Sequence, residues 1–447
     1  MRIRYVANAC FLITLASGER LLTDPWFEGP CQQTWWNFPP VHPRLLEEIK
    51  GCRPDFLYVS HLHHDHLHPQ SLASFDRATP VLIGAMNTPN LRKALADLGF
   101  ARLIETPFEA RAPLGRSGVE VVLFRDFHGD TAGDETLVAY DLDTSLYLFD
   151  SDGTRLFLGV DNTILPADAA RIAAQYGPPD IAQLPYASAS LFPMAMSDYS
   201  EAEKLSAAQR LRARTRANFR DNFRALGAMR VIPAGGEYVL GGPAAALSRF
   251  LPQPLEAELA QELAEAGCEG ALAKLYPGDE LDSTSLEVRR DAQAQYRAFS
   301  DSDRAAYAQT LADRAPTYET LRLPPDLPFD WPRALKKCAA NYAARRERMQ
   351  LSDGVDVYLD ACTLEGERLF LFRFSLDGPD GEICAALASD ERPRLIYRLD
   401  ARLLFCLATG LVSWNAMEAS CLIGVSRRPD IYRHDLHRSM VHFTLLS

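Results

Sequence analysis

One stretch constrains this chain more than any other: Ser60-His61-Leu62-His63-His64-Asp65-His66, which follows the apolar run Leu57–Ser60 and precedes Pro69. Five of the ten histidines fall between His61 and His68. Alternate side chains of an extended segment point the same way, so His61 and His63 can hold one ion. The chain then turns, and Asp65 and His66 face a second ion. Neutral imidazole and carboxylate suit zinc, iron or manganese alike. His64 points away from its neighbours, and neither His64 nor His68 is expected to ligate.

Composition narrows the setting. The 447 residues carry 59 acidic against 47 basic side chains, a net charge of −12, which argues against a nucleic-acid coat. At roughly 100–200 residues per domain the length predicts two to four domains. The nine cysteines are scattered, with no C-x-x-C and no C-x-H pair, so neither a disulfide framework nor a structural zinc knuckle is expected. The start lacks an apolar signal segment, and the longest apolar stretch, Leu403–Val412, is far short of the ~20 residues of a membrane helix. The expected setting is a reducing cytoplasm, with no membrane and no nucleic-acid partner.

Residues 1–242 read as strands with interspersed helices, not a strict alternation, which suggests two packed sheets with helices outside. Strands are expected at Arg2–Ala7, Cys10–Leu15, Arg20–Thr23, Leu57–Ser60, Pro80–Gly84, Val119–Phe124, Leu137–Tyr140, Leu146–Phe149 and Leu156–Val160. Helices fit Leu91–Leu98, Ala167–Gln175 and Glu201–Leu226, the last with Ser200 as N-cap and Gly227 at its end. Residues 243–350 read as a helical segment, with helices at Ala244–Arg249, Glu256–Ala266 and Ser285–Arg314. Residues 351–447 read as a small α+β domain: strands Val355–Leu359, Leu369–Phe374 and Arg394–Arg398, then a helix at Ala401–Ala408.

The histidine motif, the opening strands and the strand end Asp24-Pro25-Trp26 resemble the metallo-β-lactamase superfamily. The resemblance implies an α/β fold, a four-layer αββα sandwich, followed here by the helical segment and the C-terminal domain. It also implies two more ligands, a histidine after a later strand and a bridging aspartate after the next. His128 and Asp161 take those places, Asp161 in preference to Asp126, Asp150 and Asp152 because it ends an apolar strand ahead of a helix. The implied metal set is His61, His63, Asp65, His66, His128 and Asp161, with Asp65, His66 and Asp161 also in the catalytic role. A last histidine usually follows, but the matching stretch, Val231-Ile232-Pro233-Ala234-Gly235-Gly236-Glu237, has none. Glu237 or His437 could close that flank.

Further stretches are similar to the CMP-N-acetylneuraminate hydroxylase branch: Tyr5-Val6-Ala7-Asn8-Ala9-Cys10, Thr23-Asp24-Pro25-Trp26, Trp35-Trp36, Phe192-Pro193-Met194 and Arg428-Pro429-Asp430-Ile431-Tyr432. That branch hydroxylates a sugar nucleotide with iron and O2 and normally carries a Rieske domain, for which these residues hold no C-x-H pair. The resemblance therefore implies a non-haem di-iron oxygenase acting on a small polar or anionic substrate, with O2 as co-substrate and an external electron donor. The alternative is a zinc- or manganese-dependent hydrolase of an ester, lactone or phosphodiester that uses a bridging hydroxide. Arg212, Arg216, Arg220 and Arg224 share one helix face. They form either a wall that steers an anion, with Arg212 and Arg216 touching substrate, or a solvated face. Trp36 is a candidate lining residue. Asn8 and Asp24, at strand ends, suit a turn or the support of a ligating histidine.

Overall fold

The computed structural model describes residues 1–85, 89–115, 118–125, 127, 143–187, 189–293, 298–321, 329–348, 354–375, 380–387 and 392–446. Two sheets face one another. The first runs, in spatial order, Val288–Arg289, Glu280–Asp282, Arg2–Ala7, Cys10–Thr14, Arg20–Thr23, Phe56–Tyr58, Val81–Gly84 and Leu103–Thr106. The second runs Arg230–Pro233, Ile181–Leu184, Arg155–Leu158, Ser145–Phe149, Val119–Phe124 and Ala112–Leu114.

Side-chain alternation explains the layering. Successive residues of a strand point to opposite faces, so a sheet covered on both sides needs apolar side chains on both. In the first sheet Ile13, Leu21, Tyr58 and Leu82 point inward, against Val121, Leu123, Leu146, Leu148 and Leu156 of the second. Their neighbours Leu12, Leu22, Leu57 and Val81 point outward, onto Leu45, Ile49, Leu91 and Leu95 of two outer helices. The outer face of the second sheet, with Val122, Phe124, Tyr147 and Phe157, meets Ile172 and Tyr176 of the helix Pro166–Tyr176 and Phe219, Phe223 and Leu226 of the helix Glu201–Leu226. The result is the four-layer αββα sandwich. The long helix starts with a capping box between Ser200 and Glu203 and ends at Gly227, which is left-handed (φ 68°).

The stretch expected to be helical over 285–314 behaves otherwise. Among its described residues only Asp301–Thr310 is α-helix, capped by Ser300. Val288–Arg289 instead pairs with Glu280–Asp282, which pairs with Arg2–Arg4. Residues inside the segment 243–350 therefore complete the first sheet. The buried Asp279 organises the hairpin, accepting from Tyr276 N (2.8 Å), Asp291 N (2.9 Å) and the Arg290 guanidinium (3.0 Å). A free sheet edge offers backbone partners that local helix propensity cannot match. Gly242–Phe250 is a 3₁₀ helix, and an unanticipated α-helix spans Trp331–Arg348. The expected strand Leu137–Tyr140 lies outside the described residues.

A C-terminal sheet orders Gly381–Cys384, Arg368–Ser375, Asp356–Cys362, Arg394–Asp400 and Gly424–Arg428. Its core is shared: Trp26, Trp35, Leu191 and Met194 pack with Leu403, Leu407, Trp414 and Met417. Trp35 stacks on Tyr238 at 3.6 Å and donates to Ala419 O at 2.7 Å, while Thr34 donates to Ser420 O at 2.7 Å. These contacts press the helix Trp414–Ser420 onto the loop before the strand Trp35–Asn37.

Candidate metal centre

The strand Phe56–Tyr58 lies between two parallel neighbours, Arg20–Thr23 and Val81–Gly84, and its C-terminal end carries the histidine motif. Beyond Ser60 the chain forms a turn, closed by His66 N and Leu67 N on His63 O at 2.9 and 2.8 Å. The histidines thus converge through a turn and not through strand alternation. His61 Nε2 and His63 Nδ1 stand 2.7 Å apart, and Asp143 Oδ1 is 3.3 Å from His61 Nε2. His66 Nε2 faces Asp161 Oδ2 at 3.2 Å and Asp65 Oδ2 at 3.3 Å. Two three-residue groups result, His61–His63–Asp143 and His61–His66–Asp161, with all donor atoms of a group within 4.8 Å of one another.

Other side chains hold these donors in place. Asp24, at φ 35°, accepts from Ser60 N at 2.8 Å through Oδ1 and places Oδ2 3.2 Å from His66 Nδ1. Ser60 Oγ lies 2.9 Å from His61 Nδ1. With Nδ1 engaged, each ring turns Nε2 toward the site. Asn8 Nδ2 and Gln32 Nε2 each donate to Asp65 at 3.4 Å, and Asn8 Oδ1 accepts from Gly236 N at 2.7 Å. Gln183 accepts from Val160 N at 2.7 Å and donates to Ala234 O at 2.7 Å. Val160 is left-handed (φ 56°), a conformation that costs a β-branched residue of order 1–3 kcal/mol and that here sets the direction of Asp161.

The electrostatics favour a cation. Burial opposes charge on His66, yet Asp161, Asp65 and Asp24 together hold its imidazole well above the ordinary value. Burial also works against an ionised Asp65, but the adjacent His66 outweighs it and keeps the carboxyl well below the usual range. Burial pushes His61 well down, aided by His66 and His63, and it pushes His63 down too. His66 Nε2 is buried without a hydrogen-bond partner. Imidazoles and carboxylates converging around a buried nitrogen without a hydrogen-bond partner fit a divalent ion.

Several expected residues lie elsewhere. His128 falls outside the described residues. Glu237 is buried and turned away from the donors, bonded to Tyr5, to Lys274 and to Tyr186 Oη at 3.0 Å. Within the stretch Val231–Glu237, where the last histidine was expected, Gly235 lies beside Asp161: an added Cβ would sit 3.2 Å from Asp161 Oδ1. His437 bonds Tyr397 Oη and Glu418 at 3.0 Å each and stacks on Tyr432, beside the C-terminal sheet. Arg212 binds both oxygens of Asp301 at 2.9 Å, and Arg216 binds Glu258 at 2.7 Å, so both tie the long helix to its neighbours instead of facing the donors. Trp36 packs against a separate apolar cluster of Phe38, Val239, Ala308 and Leu311.

Asp143 was not anticipated. Sequence reading sought carboxylates at the ends of strands, but Ser145–Phe149 is antiparallel to its neighbours on both sides. Its start therefore lies at the same edge as their ends. Thr144 anchors it there, donating to Ser60 O at 2.8 Å. An acidic residue just before an apolar antiparallel strand was the available signal.

Residues 2–215 match the family model of a beta-lactamase superfamily domain. Among relatives of the whole chain, a putative Rieske 2Fe-2S iron-sulfur protein of Mycobacterium tuberculosis is 28% identical over 332 residues, 70% of this chain and 60% of that one. The chain thus spans about 60% of the length of this curated relative. The cytidine monophosphate-N-acetylneuraminic acid hydroxylase of Mus musculus is 32% identical over 81 residues, 18% of this chain and 14% of the hydroxylase. A solved structure of CmlA, a diiron beta-hydroxylase from Streptomyces venezuelae, aligns with TM-score 0.42 and 16% identity over 65% of this chain and 54% of that one. Among the described residues, no helix is long and apolar enough to cross a membrane.

Proposed function

We propose that the chain is a dinuclear metal enzyme, a non-haem di-iron oxygenase that hydroxylates a small polar or anionic substrate. The observation that carries this reading is the donor set: three histidines with Asp65, Asp143 and Asp161, and a glycine, Gly235, against Asp161. His61, His63 and Asp143 would hold one ion, and Asp65, His66 and Asp161 the other, with His61 close to both. Two iron ions bound there would supply the reductive activation of O2. The likeness to a hydroxylase and to a Rieske iron-sulfur protein supports the same reading, with electrons delivered by another protein.

The chain's own residues keep the donors ready. Asp24 and Ser60 fix the His61 and His66 rings, so little reorganisation is needed when charge is bound. Asn8 and Gln32 hold Asp65 from two sides. The backbone at Gly235 comes close to Asp161 with no side chain between them.

Metal analysis with O2 uptake tests the proposal. The full chain expressed in iron-supplied cells should contain close to two iron ions, and a reductant with a Rieske-type donor should drive O2 consumption. Zinc or manganese alone, with O2-independent turnover of esters or bis-aryl phosphates, would overturn it in favour of a hydrolase.

A further inference from the structure

The C-terminal unit has so far no chemistry assigned to it, yet it touches the metal centre. Asn415, on the helix Trp414–Ser420, places its side-chain Nδ2 2.5 Å from His63 Nε2 across 352 positions of sequence. That reach is well supported. Ser413 caps the helix by accepting from Ala416 N at 3.1 Å, and the buried Trp414 donates to Phe443 O at 3.0 Å. Ala419 and Ser420 are tied by Trp35 and Thr34 to the loop that also supplies Gln32 to Asp65. Asn415 is thus presented by a braced element.

We infer that Asn415 is a positioning residue of the metal centre: its side-chain carbonyl accepts the Nε2–H of His63 and so fixes the tautomer in which Nδ1 carries the ligating lone pair. The inference rests on the dinuclear reading above and extends it to the C-terminal unit. His63 Nδ1 is the atom that meets His61 Nε2, at 2.7 Å, and faces the first donor group. A neutral imidazole carries one N–H, so an Nδ1 that gives its lone pair to a metal leaves the hydrogen on Nε2. The group at Nε2 must then be an acceptor. The two arms of a carboxamide exchange by a half-turn, so Asn415 supplies its oxygen without any movement of the helix. Asp24 and Ser60 do the same for the rings of His66 and His61, but both belong to the first sheet and its strand ends. His63 takes this support from the far end of the chain.

The test uses the full-length protein, with Zn²⁺ as probe. Asn415→Leu keeps size without an acceptor, and Asn415→Asp keeps the acceptor. Asn415→Leu should lose affinity for one of two zinc ions by about 10–100-fold in competition with a chelator, while Asn415→Asp stays within a few-fold of wild type. Equal affinities in all three proteins would overturn the inference. Wild-type protein that binds no zinc and no iron would instead overturn the dinuclear reading itself. Because Asn415→Leu could unfold, a second measurement uses the wild type alone. Long-range ¹H–¹⁵N spectra of the zinc-loaded, histidine-labelled protein should show His63 protonated at Nε2 and metal-bound at Nδ1. The reverse pattern would refute the role of Asn415.

Discussion

Asp24 and His66 form a buried pair, Oδ2 to Nδ1 at 3.2 Å, between the end of one strand and the turn that follows another. The same carboxylate receives Ser60 N at 2.8 Å, so one side chain sets both the start of the histidine turn and the orientation of its last ring. Asp24→Asn should retain the Ser60 bond and tolerate φ 35°, since asparagine enters the left-handed region readily. It would however turn an N–H toward Nδ1 and favour the wrong tautomer. Metal affinity is expected to fall about 10–100-fold with the unfolding midpoint of the metal-free protein nearly unchanged. Chelator competition and a thermal melt on the same samples check both parts.

Acid sensitivity should trace in part to His68. This ring is 5% exposed, and its Nδ1 accepts from Ser71 N at 3.3 Å. Burial, the larger effect, pulls its pKa down to about 4 against the nearby Pro30 carbonyl. The unfolded chain therefore binds more protons than the folded one between the ordinary histidine pKa and about 4, and stability falls as pH drops through that window. From pH 7.5 to pH 5 the loss attributable to this group is on the order of 2 kcal/mol. Urea unfolding of metal-free wild type and His68→Asn at both pH values reads it as a difference. Parallel pH profiles would remove His68 from the account.

The buried pair Lys274–Glu237 is expected to be structural. Both side chains are nearly inaccessible, and the carboxylate also takes hydroxyl groups from Tyr5 and Tyr186. Burial raises the Glu237 pKa while Lys274 works the other way. Lys274→Met would leave a buried carboxylate without its cation and cost about 3–5 kcal/mol, of which Lys274→Met with Glu237→Gln should recover a large part. Guanidinium unfolding measures this, and metal content should not follow it.

The arginine ladder of the long helix should be nearly silent in turnover. Arg212 and Arg216 are committed to Asp301, Glu258 and Glu262. Arg212→Ala and Arg216→Ala should each cost under about 1 kcal/mol and leave KM for an anionic substrate unchanged. A several-fold rise in KM for either variant would return these residues to the substrate site.

Much of the site was legible because its chemistry is local. Five histidines in eight residues after an apolar strand need no tertiary information to be read as a metal turn, whereas Asp161 was reached through the family resemblance, which implies an aspartate after a later strand. The sandwich was legible too, since strands with apolar residues on both faces must be covered twice. The helical reading of 285–314 failed at Val288–Arg289 because the strand Glu280–Asp282, itself paired with Arg2–Arg4, offers hydrogen bonds that composition does not reveal.

By itself the sequence determined the motif, the two-sided strands, the capped helix Glu201–Leu226 and the absence of a histidine near Gly235. Only the tertiary structure decided which carboxylates meet those histidines and what holds the rings. Asp143 joins because antiparallel pairing returns its strand to the same edge, and Asn415 because a shared apolar core presses the C-terminal helix onto the loop beside the motif. The physical reason is distance along the chain: ligation and hydrogen bonding act over about 3 Å, and sequence patterns report only near neighbours.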